Sequence, residues 1–165
     1  VLIYSILYRA GNEGEWKELQ TGLTESYYTL EPDTLPDGIY VFRVVANDIG
    51  SNPPGRALSG QMETRPFAMD STPPGVTVEQ RGLERRQVNL YVDASDETST
   101  LKQAEVSIDA GPWQPVFPVD GIVDSQSEIF QFSSFELDSG EHVVAFRIYD
   151  QNDNVGIGKL IVQIP

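Results

Sequence analysis

The chain has 165 residues, no cysteine and a net charge of −14. Without cysteine it can build neither a disulfide framework nor a thiolate site for catalysis or zinc. The negative charge repels polyphosphate and so argues against nucleic acid and anionic membranes as partners, and no apolar run approaches the ~20 residues of a membrane span.

Helical stripes free of Gly and Pro are nearly absent, and alternation dominates instead. Residues 3–8 (Ile-Tyr-Ser-Ile-Leu-Tyr) read as a largely buried strand. A turn at 11–14 leads to a short strand at 16–19. Residues 27–30 (Tyr-Tyr-Thr-Leu) are expected to form a third strand. The fourth places Tyr40, Phe42, Val44 and Ala46 on one face and Val41, Arg43 and Val45 on the other. Residues 57–67 are expected to hold the last strand of this half.

Asp70-Ser71-Thr72-Pro73-Pro74-Gly75 follows. Pro73 and Pro74 cannot donate to a ladder and stiffen the chain, so a boundary is expected here, between a domain at 1–70 and one at 71–165. In the second half Val88, Leu90, Val92 and Ala94 alternate with polar or outward residues, as do Ala104, Val106 and Ile108. A strand at 76–79 opens this half, 104–109 lead to Ala110-Gly111-Pro112-Trp113, and strands at 129–135, 143–149 and 158–164 complete a seven-strand pattern. Gly156 and Gly158 precede no helix, so they cradle no phosphate, and a bulge or turn is expected there.

The stretch at 38–52 returns at 140–154 with a constant offset of 102: Gly38 falls on Gly140, Asp48 on Asp150, Asn52 on Asn154, and upstream Leu35 on Leu137. A repeat of that spacing means two copies of one small domain. The first copy is short at its front, because its strand at 4–10 corresponds to 104–110. The expectation is therefore an all-β chain of two tandem sandwiches, the first lacking its two N-terminal strands. The opening Val1-Leu2-Ile3-Tyr4 reads as the middle of a strand, so a piece of a longer polypeptide is expected; the missing strands come from the preceding polypeptide, the favoured outcome, or from a partner, or the module is only partly stable.

Leu35-Pro36-Asp37-Gly38-Ile39-Tyr40, followed by Phe42, Val44, Ala46 and Asp48, resembles the E–F corner and F strand of a fibronectin type III domain. The resemblance implies that Tyr40 is a tyrosine corner, its hydroxyl bonded to upstream backbone, and that Trp16 is the tryptophan of the C–C′ region. The joint at 70–74 is similar to the "DxTPP" joints between immunoglobulin-like repeats of bacterial secreted and surface proteins. Ala94-Ser95-Asp96 and the run at 149–154 look like their "A-x-D" and "D-x-x-G-N" turns. His142 stands where Tyr40 stood, a departure that removes the corner hydroxyl from the second copy.

Candidate chemistry is sparse. Asp150, Asn152 and Asn154 have the spacing that opens an EF-hand loop, but Val155 and Ile161 stand where Gly and a bidentate Glu are needed. The competing reading is an Asx-rich hairpin turn capping its own backbone. If a cation binds, Ca²⁺ suits these hard oxygens, with Asp153 in the same run and Asp93, Asp96 and Glu97 of the B–C loop at the same end of the sandwich. His142 is the only histidine, no G-x-S-x-G nucleophile elbow exists, and a corner or core role is expected. Tyr91 and Tyr149 are out of phase with their apolar neighbours and, with Trp113, are the residues for a sugar platform. The resulting expectation is a non-catalytic spacer or protein-binding segment of a larger extracellular bacterial protein, with no cofactor unless Ca²⁺ binds. Its partners would be its upstream domains and a protein or glycan. The alternative is a carbohydrate-binding module of a secreted glycan-active enzyme, and a third class is an accessory domain completing an upstream active site.

Overall fold

The computed structural model describes residues 1–31 and 34–165. Among them there is no helix, and the chain divides into two compact units, Val1–Ser71 and Thr72–Pro165.

The first unit is one antiparallel sheet. Its strands are β1 (Ile3–Ala10), β2 (Lys17–Leu23), β3 (Gly38–Asn47), β4 (Ser59–Glu63) and β5 (Phe67–Met69). The order is β2-β1-β3-β4, and β5 also pairs with β3. The strand expected at 57–67 is thus two. It breaks at Thr64-Arg65-Pro66, because Pro66 has no N–H for the ladder; Thr64 holds the break, its N–H donating to the Phe42 carbonyl and its Oγ1 accepting from the Phe42 N–H. The strand expected at 27–30 does not form, and Tyr27 is 72% exposed. A strand needs a partner ladder, and among the described residues no second sheet faces this one.

The second unit has seven strands: β6 (Gly75–Glu84), β7 (Gln87–Ser95), β8 (Leu101–Ile108), β9 (Gln114–Pro115), β10 (Ser127–Ser133), β11 (Gly140–Asp150) and β12 (Val155–Ile164). They form a three-stranded sheet, β10-β7-β6, and a four-stranded sheet, β12-β11-β8-β9, in an immunoglobulin/fibronectin type III-like sandwich. Alternation delivers Val88, Leu90, Val92 and Phe130 from one sheet and Ala104, Val106, Val144, Phe146 and Ile148 from the other into one core. Phe132 meets Phe146 edge-on at 5.7 Å. Gly156 and Gly158 are not in a bulge. They pair in regular register with Ile148 and Phe146. Their missing side chains let β6 lie close, since a Cβ on Gly156 would sit 2.0 Å from the Pro74 carbonyl oxygen and one on Gly158 2.6 Å from a Val76 methyl.

The two units share a register. In the first, β3 pairs with β1 as Phe42 to Tyr8, Val44 to Ile6 and Ala46 to Tyr4. In the second, β11 pairs with β8 as Val144 to Ile108, Phe146 to Val106 and Ile148 to Ala104. These are the same pairs, shifted by 102 residues on one strand and 100 on the other. The inward face of the second sheet is buried under β6, β7 and β10, with Ile108 at its end partly exposed. Its counterpart in the first unit is not: Val44 is 40% exposed, Met62 78%, and Phe67 stacks on Phe42 at the surface.

Candidate functional site

Both units build the same corner by different chemistry. Buried Leu35 and Leu137 anchor the turn, and Gly38 and Gly140 take φ of +156° and +137°, where a side chain is strained. In the first unit the Tyr40 hydroxyl donates to the Pro36 carbonyl at 2.7 Å. In the second, His142 Nε2 donates to the Asp138 carbonyl at 2.9 Å, so the corner survives without a hydroxyl. His142 Nδ1 lies 2.6 Å from Asp109 Oδ2. A carbonyl and a carboxylate both only accept, so both ring nitrogens donate and the ring is an imidazolium. The hydrogen bond to Asp109 is the main cause that raises the His142 pKa; the same bond, with the Val143 N–H, lowers that of Asp109. Both ring nitrogens of this histidine are engaged in holding the corner.

Each unit also stacks arginine on its tryptophan. Arg43 lies 3.9 Å and Arg9 4.7 Å from the Trp16 ring centre, and Glu63 neutralises Arg43 at 2.6 Å. In the second unit Arg147 lies 4.3 Å from the Trp113 ring and 5.6 Å from that of Tyr149, and its Nε donates to Glu105. These contacts bear on the sugar-platform residues. Trp113 and Tyr149 share Arg147 on the four-stranded sheet. Tyr91 lies on β7 of the other sheet, under Arg81 at 4.8 Å. The fold therefore does not bring the three rings together, because β7 and β11 turn their outward faces in opposite directions.

At one end of the second unit, the loop after β7 meets the turn between β11 and β12. Asp150 is wholly buried. Its Oδ1 accepts from the Asn152 and Asn154 N–H groups at 2.8 and 2.9 Å, and its Oδ2 from Asn154 Nδ2 at 2.8 Å. Asp96 Oδ1 accepts from the Thr98 and Ser99 N–H groups at 2.8 and 2.7 Å. Asn152 Nδ2 donates to Ser99 Oγ at 3.3 Å, tying turn to loop. Asp153 points away and pairs with Lys102, and Asp93 is an exposed residue of β7. Of the acidic residues named for a cation, the fold thus brings Asp96 and Asp150 together and turns Asp153 elsewhere. Glu128 was not legible as special; it is buried, and its Oε1 accepts from the Asp124 and Ser125 N–H groups at 3.0 Å each. It lies two residues before Phe130 and four before Phe132, so the strand's period puts it on the inward face, where an acid is not expected.

On the open face of the first unit, Tyr4, Ile6, Leu23 and Val44 line a depression of about 130 Å³ bordered by Tyr27 and Tyr28. A shallow cleft of about 350 Å³ in the second unit runs beside Val106, Ile108, Phe132 and Phe135.

No family model matches the chain, and no curated protein matches it. Among solved structures, one of Clostridium thermocellum CbhA fibronectin(III)-like modules is similar: 13% identity over 97% of this chain and 77% of that one, with a TM-score of 0.41. At that similarity the match speaks to neither substrate nor partner.

Proposed function

We propose that the chain is a non-catalytic structural and protein-binding segment of a larger extracellular bacterial protein, and that it binds through the open face of the first unit. One observation carries this reading. Tyr4, Ile6, Tyr8, Phe42 and Val44 occupy the register positions of Ala104, Val106, Ile108, Val144 and Phe146, which a second sheet covers. A contiguous apolar face of this kind marks an interaction site. The same register names its occupant: an antiparallel hairpin with Val or Leu at alternate positions, like β6 and β7, laid over β1 and β3. The extracellular and bacterial part of the reading rests on the DxTPP-like joint and the D-x-x-G-N-like turn. The non-catalytic part is supported by His142, both of whose ring nitrogens are engaged in holding the corner.

A peptide copying residues 75–95 tests this when titrated into the full chain and followed by nuclear magnetic resonance. Saturable shifts confined to β1, β3 and residues 23–28 support the reading. Shifts absent at millimolar peptide, or a concentration-dependent dimer whose interface is this face, refute the hairpin as occupant.

A further inference from the structure

We propose that the second unit binds one Ca²⁺ ion, held by the carboxylates of Asp96 and Asp150 between the loop after β7 and the turn after β11. Asp96 is 7% exposed and Asp150 is 0% exposed. A carboxylate oxygen of each lies within 4.8 Å of the other. Two acids side by side are not in themselves a site. The second observation is that Asp96 Oδ2, shut off from solvent, has no hydrogen-bond partner among the described residues. Its sister oxygen already caps two loop N–H groups.

A buried, unpartnered carboxylate oxygen beside a second buried carboxylate is stable only with a cation or a proton between them. Lys102 does not supply the charge. It follows Leu101, which faces Asp150 in register, yet its ammonium bonds the exposed Asp153. Oxygen donors alone select a hard cation. Ca²⁺ bonds oxygen at about 2.3–2.6 Å in flexible geometry and so reaches both carboxylates, whereas Mg²⁺ demands near-ideal octahedral geometry. The turns are already braced: Asp150 Oδ1 fixes the backbone of Asn152 and Asn154, so the ligand oxygens are held before the ion arrives. Waters complete the coordination shell. The sequence-based ligand set thus shrinks: Asp153 and Asp93 are not members, and Asn152 and Asn154 serve the turn.

The test uses the full chain with chelator, then with CaCl₂, read by calorimetry and by equilibrium dialysis of ⁴⁵Ca. The expected result is one ion per chain and a melting transition of the second unit that rises by about 10–20 °C at a hundredfold excess over Kd. Asp96→Asn keeps the capping Oδ1 and removes the charge; it abolishes binding and the shift, and in chelator it melts no lower than the unsubstituted chain. Asp150→Asn behaves likewise where it folds. No bound calcium at millimolar concentration, or an equal shift in Asp96→Asn, overturns the proposal. The outcome is independent of the hairpin reading, which concerns the other unit.

Discussion

Val44→Ala and Val144→Ala delete the same two methyl groups from the inward face of the same sheet, one in each unit. Val144 is 0% exposed and packs among Leu90, Phe130 and Phe146 in the closed core. Its truncation loses about 1.6 kcal/mol of transfer free energy at ~0.8 kcal/mol per methylene, plus a cavity term, or about 2–3 kcal/mol in all. Val44 already meets solvent over much of its side chain, and no facing sheet is left with a void. Its truncation costs under about 1 kcal/mol. Each unit has one tryptophan, Trp16 and Trp113, so urea unfolding followed by fluorescence in a Trp16→Phe or Trp113→Phe background reads the units separately. The midpoint of the second unit falls by roughly 1–3 M urea in Val144→Ala, for m near ~1–2 kcal/mol/M, and that of the first moves by less than half as much in Val44→Ala. Equal costs at the two positions would refute the claim that the first sheet is uncovered.

Tyr40→Phe removes one hydrogen bond to a backbone carbonyl and destabilises the first unit by about 1 kcal/mol, while His142→Tyr in the second keeps a corner donor and loses only the partner of Asp109; urea midpoints of the two variants check this. The His142–Asp109 pair sets a pH window. The folded pKa of His142 lies above its unfolded ~6.5, so its contribution is complete below pH ~6.5 and is lost as pH rises through the folded value; that of Asp109 lies below ~3.8, so its contribution is complete above ~3.8 and is lost as pH falls through the folded value. Melting temperature of the second unit against pH therefore declines on the alkaline side, and His142→Gln removes that decline. Gly158→Ala forces a Cβ against Val76 and costs the second unit about 1–3 kcal/mol in a denaturant titration, whereas Gly55→Ala, with open space around it, changes little.

Alternation made the strands of the second unit legible, because a sheet buried on one face writes its period into the side chains: Val88, Leu90, Val92 and Ala94 are all buried, and Asn89 and Tyr91 are not. The same rule misread residues 27–30. Two tyrosines and a threonine favour a strand, yet propensity without a neighbouring ladder fixes nothing, and Tyr27 ends in solvent. Pro66 carried the signal that the last strand of the first unit would break, masked by the apolar residues around it. Gly156 and Gly158 signalled a close approach, and sequence alone does not say whether the chain bends there or another strand comes near. The corner was readable from Leu35, Gly38 and Tyr40, but His142 could be placed as its donor only when Asp138 and Asp109 were seen beside it. Asp96 stood out by its turn motif, whereas Glu128 was legible only as an acid on the inward phase of Phe130 and Phe132, a signal masked by its charge. Tyr91 and Tyr149 are both out of phase with their neighbours, but the phase of a strand does not say which sheet it joins, and the fold puts Tyr91 on a different sheet from Tyr149.

The absence of native cysteine allows the most direct measurement. Single variants Val44→Cys and Val144→Cys, treated with a thiol reagent under native conditions, report whether each sheet face is covered. The account predicts that the thiol at 44 reacts within about tenfold of its rate in denaturant, while the thiol at 144 is slowed by more than about a thousandfold, since it must wait for the second unit to open. Comparable protection at both positions in the monomeric chain would contradict it.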